Sequence, residues 1–461
     1  MSTEKDISTR AQWSGKWMFI LAAAGSAVGL GNLWRFPYLA AKYDGGTFVW
    51  VYFVFVFTIG VSLLLLETAL GRKTGKSVIG AFRSFGKKYA FIGVFTAAIP
   101  MIIAPYYCII GGWITKYMVA YLVDGPAALA DGGVYFTNFI SSNVESYFWM
   151  LAFMALTFTI VAFGVQKGIE KANLILMPAL LIMAAGVAVF TLMQPGALGG
   201  AAYYLIPDVS KITPELLIAA LGQTFFSLSL AMAIMITYGS YLSKKESLTQ
   251  SVTRIAGFGF SVAFLAGLAI VPAAFSALGS GEAVAENSGP DLMFIVLPQI
   301  FANMGSAATA IGFVFFLLVL FAAITSSISV IEAGVSIVSD ETKLTRIQSL
   351  FVVMLTVVLG GIFVNAGYNI LSFIEPLGAD STLLGFFDFI SNSVMMPLAA
   401  ILTCIFVGWI IKPKTLVDEI KLSSSFRLEG AWTIMVKYVA PVLVFLILVS
   451  FVGAQFGLFS M

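Results

Sequence analysis

The chain has 461 residues, of which 60% are hydrophobic and only 10% are charged. A mean hydropathy of +0.98 excludes a soluble fold of this length and is typical of an integral membrane protein. A formal net charge of +2 gives no reason to expect a nucleic-acid partner, and the lack of histidine removes the commonest zinc ligand and general base.

Apolar runs predict eleven membrane-spanning helices, because about 20 apolar residues in a helix cross the hydrocarbon core of a bilayer. The predicted spans are 14–40, 46–70, 90–122, 147–164, 171–192, 214–242, 252–278, 308–338, 346–366, 383–411 and 431–457. The sequence therefore predicts an all-α integral membrane protein, with a single transmembrane domain over residues 1–461.

Positively charged residues concentrate in every second connection between these spans. Six Lys and Arg lie in 71–89, whereas 123–146 holds acidic residues and no Lys or Arg. Basic residues return near 167–171, 244–245, 343–346 and 412–427. Since cytoplasmic loops retain Lys and Arg, we predict a cytoplasmic N-terminus, an external C-terminus and a bacterial-type inner membrane.

The first predicted span is interrupted by polar and flexible residues. Its stretch LAAAGSAVGLGNLWRFPY, at 21–38, contains Gly25, Gly29 and Gly31, followed by Asn32 and Arg35. Unwound backbone is tolerated at membrane depth where it lines a cavity, so the stretch favours a binding site. Close packing of two helices through small residues is the alternative interpretation.

The order of these residues carries a family resemblance. GSAVGLGNLWRFP, at 25–37, resembles the first-helix signature of the neurotransmitter:sodium symporter family, and matching landmarks run from Arg10 to about Trp409. The resemblance implies the fold of the bacterial eleven-span amino-acid transporters, known as the leucine-transporter fold. In that fold two five-helix inverted repeats, here about 14–192 and 213–411, precede an additional helix at about 431–457, and helices 1 and 6 are discontinuous.

The resemblance implies a first sodium site. Its ligands would be the carbonyls of Gly25, Val28 and Ala322 and the hydroxyls of Thr325 and Ser326. Neutral oxygens suit a hard monovalent cation and do not attract divalent ions. The alternative for the two hydroxyls is a bond back to a carbonyl of their own helix, which is common in membranes.

A second sodium site is implied with one ligand missing. Its ligands would be the carbonyl of Ala27, the side chain of Asn32, and the carbonyl and hydroxyl of Ser227. An alignment on Pro272 puts the remaining ligand at Phe258 or Gly259, and neither has a side-chain oxygen. Ser261, two or three positions away, would face elsewhere on a helix. The site would stay empty or be completed by a water or by the substrate carboxylate.

The resemblance also implies an amino-acid substrate. Peptide groups near Ser26, Ala27 and Gly31, with the hydroxyl of Tyr107, would receive its carboxylate. Carbonyls near Phe226 and Ser227, with the Ser326 hydroxyl, would face its amino group. Gly29 stands where monoamine transporters of the family carry an acid, which favours an amino acid over a monoamine. The pocket for the side chain would comprise Leu30, Ile103, Tyr107, Phe226, Ser229, Met232 and Val330.

Charged residues within the spans are expected to act as gates, since charges in a membrane are costly. Arg35 and Asp388 resemble the outer gate pair of the family. Arg10 and Asp340 resemble its cytoplasmic pair, with Tyr238 and Trp13 nearby. Each pair could form in one access state and break in the other.

These features together predict a sodium-coupled symporter of neutral, hydrophobic L-amino acids that works by alternating access and is not an enzyme. Its partners would be the amino acid, sodium and the lipid bilayer. A membrane sensor of the same fold, which binds the amino acid without transporting it, is the alternative. An intramembrane enzyme is disfavoured because no acid and nucleophile pair falls at helical spacing, and a channel is disfavoured by two opposed gates.

Overall fold

The computed structural model describes residues 11–287 and 289–458, which form helices joined by turns, without a β-strand in these two ranges. Nine described helices are long and apolar enough to cross a membrane unbroken. They are Gly46–Thr74, Lys87–Val123, Glu145–Ala162, Val165–Leu192, Leu248–Leu278, Gly305–Glu341, Arg346–Ala366, Leu383–Ile410 and Glu429–Gln455.

Two further spans are broken. The first consists of Lys16–Ala27 and Gly31–Lys42, whose axes are bent by 58°. The sixth consists of Pro214–Ser227 and Ile234–Ser240, with residues 228–233 unwound between them. Counting the first broken pair as one span gives ten spans in the described residues, and counting the sixth in the same way is consistent with the eleven that the sequence predicts. The all-α membrane fold with discontinuous helices 1 and 6 is confirmed.

Shorter helices cover both ends of the bundle. We call upper the end that carries Pro126–Leu129, Gly132–Ile140, Ala197–Leu205, Glu282–Glu286 and the adjoining segments Leu292–Val296 and Leu297–Ala302. We call lower the end that carries Val78–Arg83 and Lys414–Lys421.

The broken first span lies at the centre of the molecule. Its Lys16–Ala27 segment contacts the fifth, seventh and eighth spans, and every residue from Phe19 to Ala27 is buried. The third span packs along the eighth, and 67% of its most apolar stretch is buried, against 22% for the eleventh span. The break therefore opens into protein, and the eleventh span presents side chains such as Phe445 to lipid.

The unwound part of the sixth span is held by its neighbours. Ser229, Ala231 and Ala233 have left-handed φ angles of 49°, 61° and 63°. That conformation costs an L-residue about 1–2 kcal/mol, so contacts elsewhere must impose it. The carboxylate of Glu67 accepts the backbone N–H of Ala231 at 2.7 Å, and the hydroxyl of Ser229 donates to the carbonyl of Ser26 at 2.8 Å. Neighbouring spans thus fix the break.

Candidate substrate and ion site

A cavity of about 680 Å³ extends from the two broken spans toward the upper end. The residues predicted for the substrate line it, with the exception of Ser227. They are Ser26, Ala27, Leu30, Gly31, Ile103, Tyr107, Phe226, Ser229, Met232, Ser326 and Val330. The structure therefore brings residues from four separate stretches of the chain around one space.

The five residues predicted for the first sodium site lie together. The Ser326 hydroxyl is 3.3 Å from the carbonyl oxygen of Gly25 and 3.4 Å from that of Val28. The Thr325 hydroxyl lies 3.1 Å from the carbonyl oxygen of Ala322, on its own helix. Both interpretations of the hydroxyls are thus compatible with the structure, because Thr325 bonds to its own helix while Ser326 reaches the first span.

Of the two positions that the sequence offers for the missing ligand of the second predicted site, Gly259 lies beside Asn32. The side-chain nitrogen of Asn32 donates to the carbonyls of Ala27 at 3.2 Å and of Gly259 at 3.3 Å. A Cβ on Gly259 would lie 4.0 Å from the carbonyl oxygen of Ser227. Ser261 is exposed and bonds to a carbonyl of its own helix, so it faces elsewhere as expected.

Polar groups converge where the substrate carboxylate is predicted. The hydroxyls of Ser26 and Tyr107 are both buried; that of Ser26 has no hydrogen-bond partner among the described residues, and that of Tyr107 faces the Ser326 hydroxyl and the backbone of Leu30. A Cβ on Gly29 would lie 3.0 Å from the Ser326 hydroxyl and 3.6 Å from that of Tyr107. Because residue 29 is glycine, its backbone stays open to both hydroxyls.

The other wall of the cavity is apolar. Leu30, Ile103, Met232 and Val330 are each at most 8% exposed and line it together with Phe226. The hydroxyl of the neighbouring Ser229 is bound to a backbone carbonyl, as described above. A ligand in this cavity would therefore meet polar groups on one side and hydrocarbon on the other.

Arg35 and Asp388 both line the cavity above this level but do not meet. The guanidinium of Arg35 lies over the Phe226 ring at 4.9 Å, and Asp388 accepts a hydrogen bond from the Asn392 amide at 2.5 Å. That amide also donates to the Tyr106 hydroxyl at 2.9 Å. Within the described ranges the two predicted gate residues form no direct ion pair, although both line the cavity.

Two more carboxylates, those of Asp291 and Asp380, line the cavity at the upper end. Burial raises the pKa of Asp291 above its ordinary value. With Asp388 and Arg35, the charged residues of the lining are three acids and one base. Because the acids outnumber the base, the acidic mouth of the cavity, as we call its upper opening, attracts cations more than anions.

The lower end is packed around Trp13. Its indole N–H donates to the Tyr238 carbonyl at 3.0 Å, its backbone N–H donates to the Tyr241 carbonyl at 3.2 Å, and the side chain is buried. Asp340 accepts the backbone N–H of Ser77 at 2.7 Å. Arg10, the predicted partner of Asp340, lies outside the described residues.

Sequence reasoning missed several polar residues beside the site. Glu332, fully buried in the eighth span, pairs with Arg346 at 2.6 Å and accepts the Tyr241 hydroxyl at 2.9 Å. Asn173, also fully buried, directs its side-chain oxygen at the backbone of Gly25. In the sequence, each of these residues is a polar residue within a predicted apolar span, and this is the signal that could have identified it. Asn392 is another example.

Comparisons with known proteins agree with this arrangement. The family model described as the sodium:neurotransmitter symporter family matches residues 10–126 and 137–457. An uncharacterized sodium-dependent transporter of Bacillus subtilis is 32% identical, with 98% of this chain and 99% of the relative covered. Another, of Methanocaldococcus jannaschii, is 34% identical, with 94% and 89% covered.

Among solved structures, the crystal structure of MhsT in complex with L-phenylalanine is similar in fold over nearly the full length. The TM-score is 0.84 and the sequence identity is 33%, with 96% of this chain and 99% of that chain covered.

Proposed function

Because the chain belongs to the sodium:neurotransmitter symporter family, we propose that it carries neutral, hydrophobic L-amino acids across the membrane with sodium, by alternating access. Members of this family are transporters, so the chain is a sodium-dependent multi-pass membrane transporter and not an enzyme. The substrate, the ion ligands and the orientation are the parts we propose.

The observation that carries the amino-acid proposal is the two-sided cavity at the helix breaks. The buried Ser26 hydroxyl without a partner costs about 1–3 kcal/mol, and a carboxylate could accept from Ser26 and Tyr107 together. The charged residues of the described lining, Arg35, Asp291, Asp380 and Asp388, stand at its upper part. A neutral side chain therefore suits the apolar wall, which is consistent with the phenylalanine in the MhsT complex.

For the ion, we place sodium between the first and eighth spans, at the carbonyls and hydroxyls grouped around Ser326. Neutral oxygens from a helix break can surround a monovalent cation without drawing a divalent one. The acidic mouth of the cavity supports this choice, because it raises the local concentration of cations.

For the transport cycle, we interpret the structure as a state open at its upper end and packed at its lower end. The basic connections predicted to be cytoplasmic lie at the lower end, so the upper end would face outside, in a cell inner membrane. Under this proposal the N-terminus is cytoplasmic and the C-terminus external. Residues 14–192 and 213–411 would form the two inverted repeats that move against each other.

An uptake screen tests the proposal. The purified protein would be reconstituted into vesicles and offered each proteinogenic amino acid, radiolabelled, with and without an inward sodium gradient. We expect accumulation of neutral hydrophobic amino acids that requires the gradient. Binding of an amino acid without any accumulation would instead identify a sensor of the same fold.

A further inference from the structure

Asn173, in the fifth span, places a buried amide against the first span. Its side chain is 0% exposed, and its side-chain nitrogen donates to the carbonyl of Ile169, on its own helix, at 2.9 Å. Its side-chain oxygen has no hydrogen-bond partner among the described residues. Buried acceptors are rarely left without a donor, because the loss of their hydration is then uncompensated. A ligand that this oxygen can bind would compensate that loss.

The amide oxygen lies beside the group of atoms proposed to hold the first sodium ion. A Cβ built on Gly25 would overlap this oxygen and would lie 3.0 Å from the Cβ of Thr325. The absence of a side chain at Gly25 therefore lets the amide of Asn173 approach the backbone of the first span. The Gly25 carbonyl and the Thr325 hydroxyl are two of the five proposed sodium ligands, so the amide oxygen faces the same site.

The hydroxyl groups at this site donate to other oxygens. The Thr325 hydroxyl donates within its own helix, to the carbonyls of Phe321 at 3.0 Å and Ala322 at 3.1 Å. The Ser326 hydroxyl donates to the carbonyl of Ser26 at 3.0 Å. The oxygen of Asn173 is thus one more neutral acceptor beside a group of neutral oxygens. A hard monovalent cation is the kind of ligand that such oxygens bind.

We propose that Asn173 supplies a further oxygen, from the fifth span, to the sodium ion between the first and eighth spans. This inference rests on the proposed function, because it assumes that an ion binds at the oxygens grouped around Ser326. It adds a ligand that the family resemblance does not supply. The fifth span packs against both the first and the eighth, so the ion would join three spans.

Equilibrium binding of sodium-22 to the purified protein, without amino acid, tests this inference without measuring transport. Asn173→Leu keeps the approximate size of the side chain and removes its oxygen. We expect sodium affinity to fall about tenfold, as is typical when a polar partner of a bound metal ion is lost. If Asn173→Leu does not fold, Asn173→Ala removes the same oxygen with less bulk and should show the same loss.

Asn365, in the ninth span Arg346–Ala366, offers a matched control. It is also 0% exposed, its nitrogen is hydrogen-bonded, and its oxygen has no partner within the described ranges. It does not line the substrate cavity. Asn365→Leu therefore removes an equivalent buried amide away from the ion, and it should leave sodium affinity unchanged.

A gain of calcium binding distinguishes a ligand from a residue that only packs against Gly25. Neutral oxygens do not attract divalent ions, whereas a carboxylate among them does. At alkaline pH, calcium should therefore compete with sodium-22 in Asn173→Asp. It should not compete in the parent protein or in Asn365→Asp.

Three outcomes would overturn the inference: parental sodium affinity in a folded variant that lacks the Asn173 oxygen, an equal loss in Asn365→Leu, or no calcium competition in Asn173→Asp. Each of them leaves the proposed transport of amino acids with sodium intact. If the parent protein binds no sodium, the proposed function is overturned together with the inference.

Discussion

Tyr107 contributes a single hydroxyl to the polar side of the cavity, which makes its role measurable. Tyr107→Phe keeps the ring and removes that hydroxyl, so we expect amino-acid affinity to fall by about 1.5–3 kcal/mol, the usual worth of a hydrogen bond to a charged group. Binding of the radiolabelled amino acid measures the change. The decarboxylated amine should bind poorly to both proteins, and equal affinity for amine and amino acid would contradict a carboxylate at Tyr107.

The proposed first ion site can be tested by substitutions that keep the shape of the eighth span. Thr325→Val with Ser326→Ala deletes two oxygens from a buried position, where water cannot easily replace them. We expect sodium-dependent substrate binding to disappear while the protein still folds. Thr356→Val, an exposed hydroxyl that bonds to its own helix, is the matched control. Normal sodium dependence in the double variant would place the ion elsewhere.

At the scale of elements, the sixth-span break depends on an acceptor from the second span. Glu67→Ala would leave the buried N–H of Ala231 without its partner, at a cost of about 1–3 kcal/mol. Glu67→Gln keeps an acceptor oxygen and should restore most of that stability. Thermal unfolding in detergent and substrate affinity would both report the difference. Equal loss in the two variants would show that the charge of Glu67, rather than its acceptor oxygen, holds the break.

The two breaks differ in how far the sequence could predict them. Three glycines and Asn32 mark the first break directly, because those residues weaken a helix wherever they occur. The sixth break has Ser229, Ala231 and Ala233 in its left-handed positions. None of these residues demands that conformation. Contacts with distant spans impose it, so only the family resemblance pointed there.

Helical geometry explains the remaining ambiguity at the second ion site. Neighbouring residues on a helix point about 100° apart, so an alignment uncertain by one position could not choose between Phe258 and Gly259. In the structure the carbonyl of Gly259 accepts from Asn32, which favours position 259. The link between Asn392 and Tyr106 was likewise hidden, because its partners lie 286 positions apart in the chain.

At the scale of the whole molecule, Trp13 helps to keep the lower end packed. Its ring lies edge-on to Tyr238 at 5.1 Å, and its indole N–H is bonded to the same residue. Trp13→Ala should remove this packing and shift the population toward states open at the lower end, since a change of 1.4 kcal/mol moves an equilibrium about tenfold. Hydrogen exchange in residues 234–240 should rise. Trp17→Ala, in the adjoining helix Lys16–Ala27 but exposed, should leave it unchanged.

The reversed backbone handedness of the sixth-span break has a consequence for sequence variation. At Ala231 and Ala233 glycine has no steric penalty, so it should be enriched over the parent residue in a saturation-mutagenesis library sorted for stability. On the helical side of the break, at Ala219 and Ala220, the same replacement should be depleted, with a loss of about 0.5–1 kcal/mol. Depletion of glycine at both kinds of position would mean that the alanine methyl groups contribute more than the backbone strain costs.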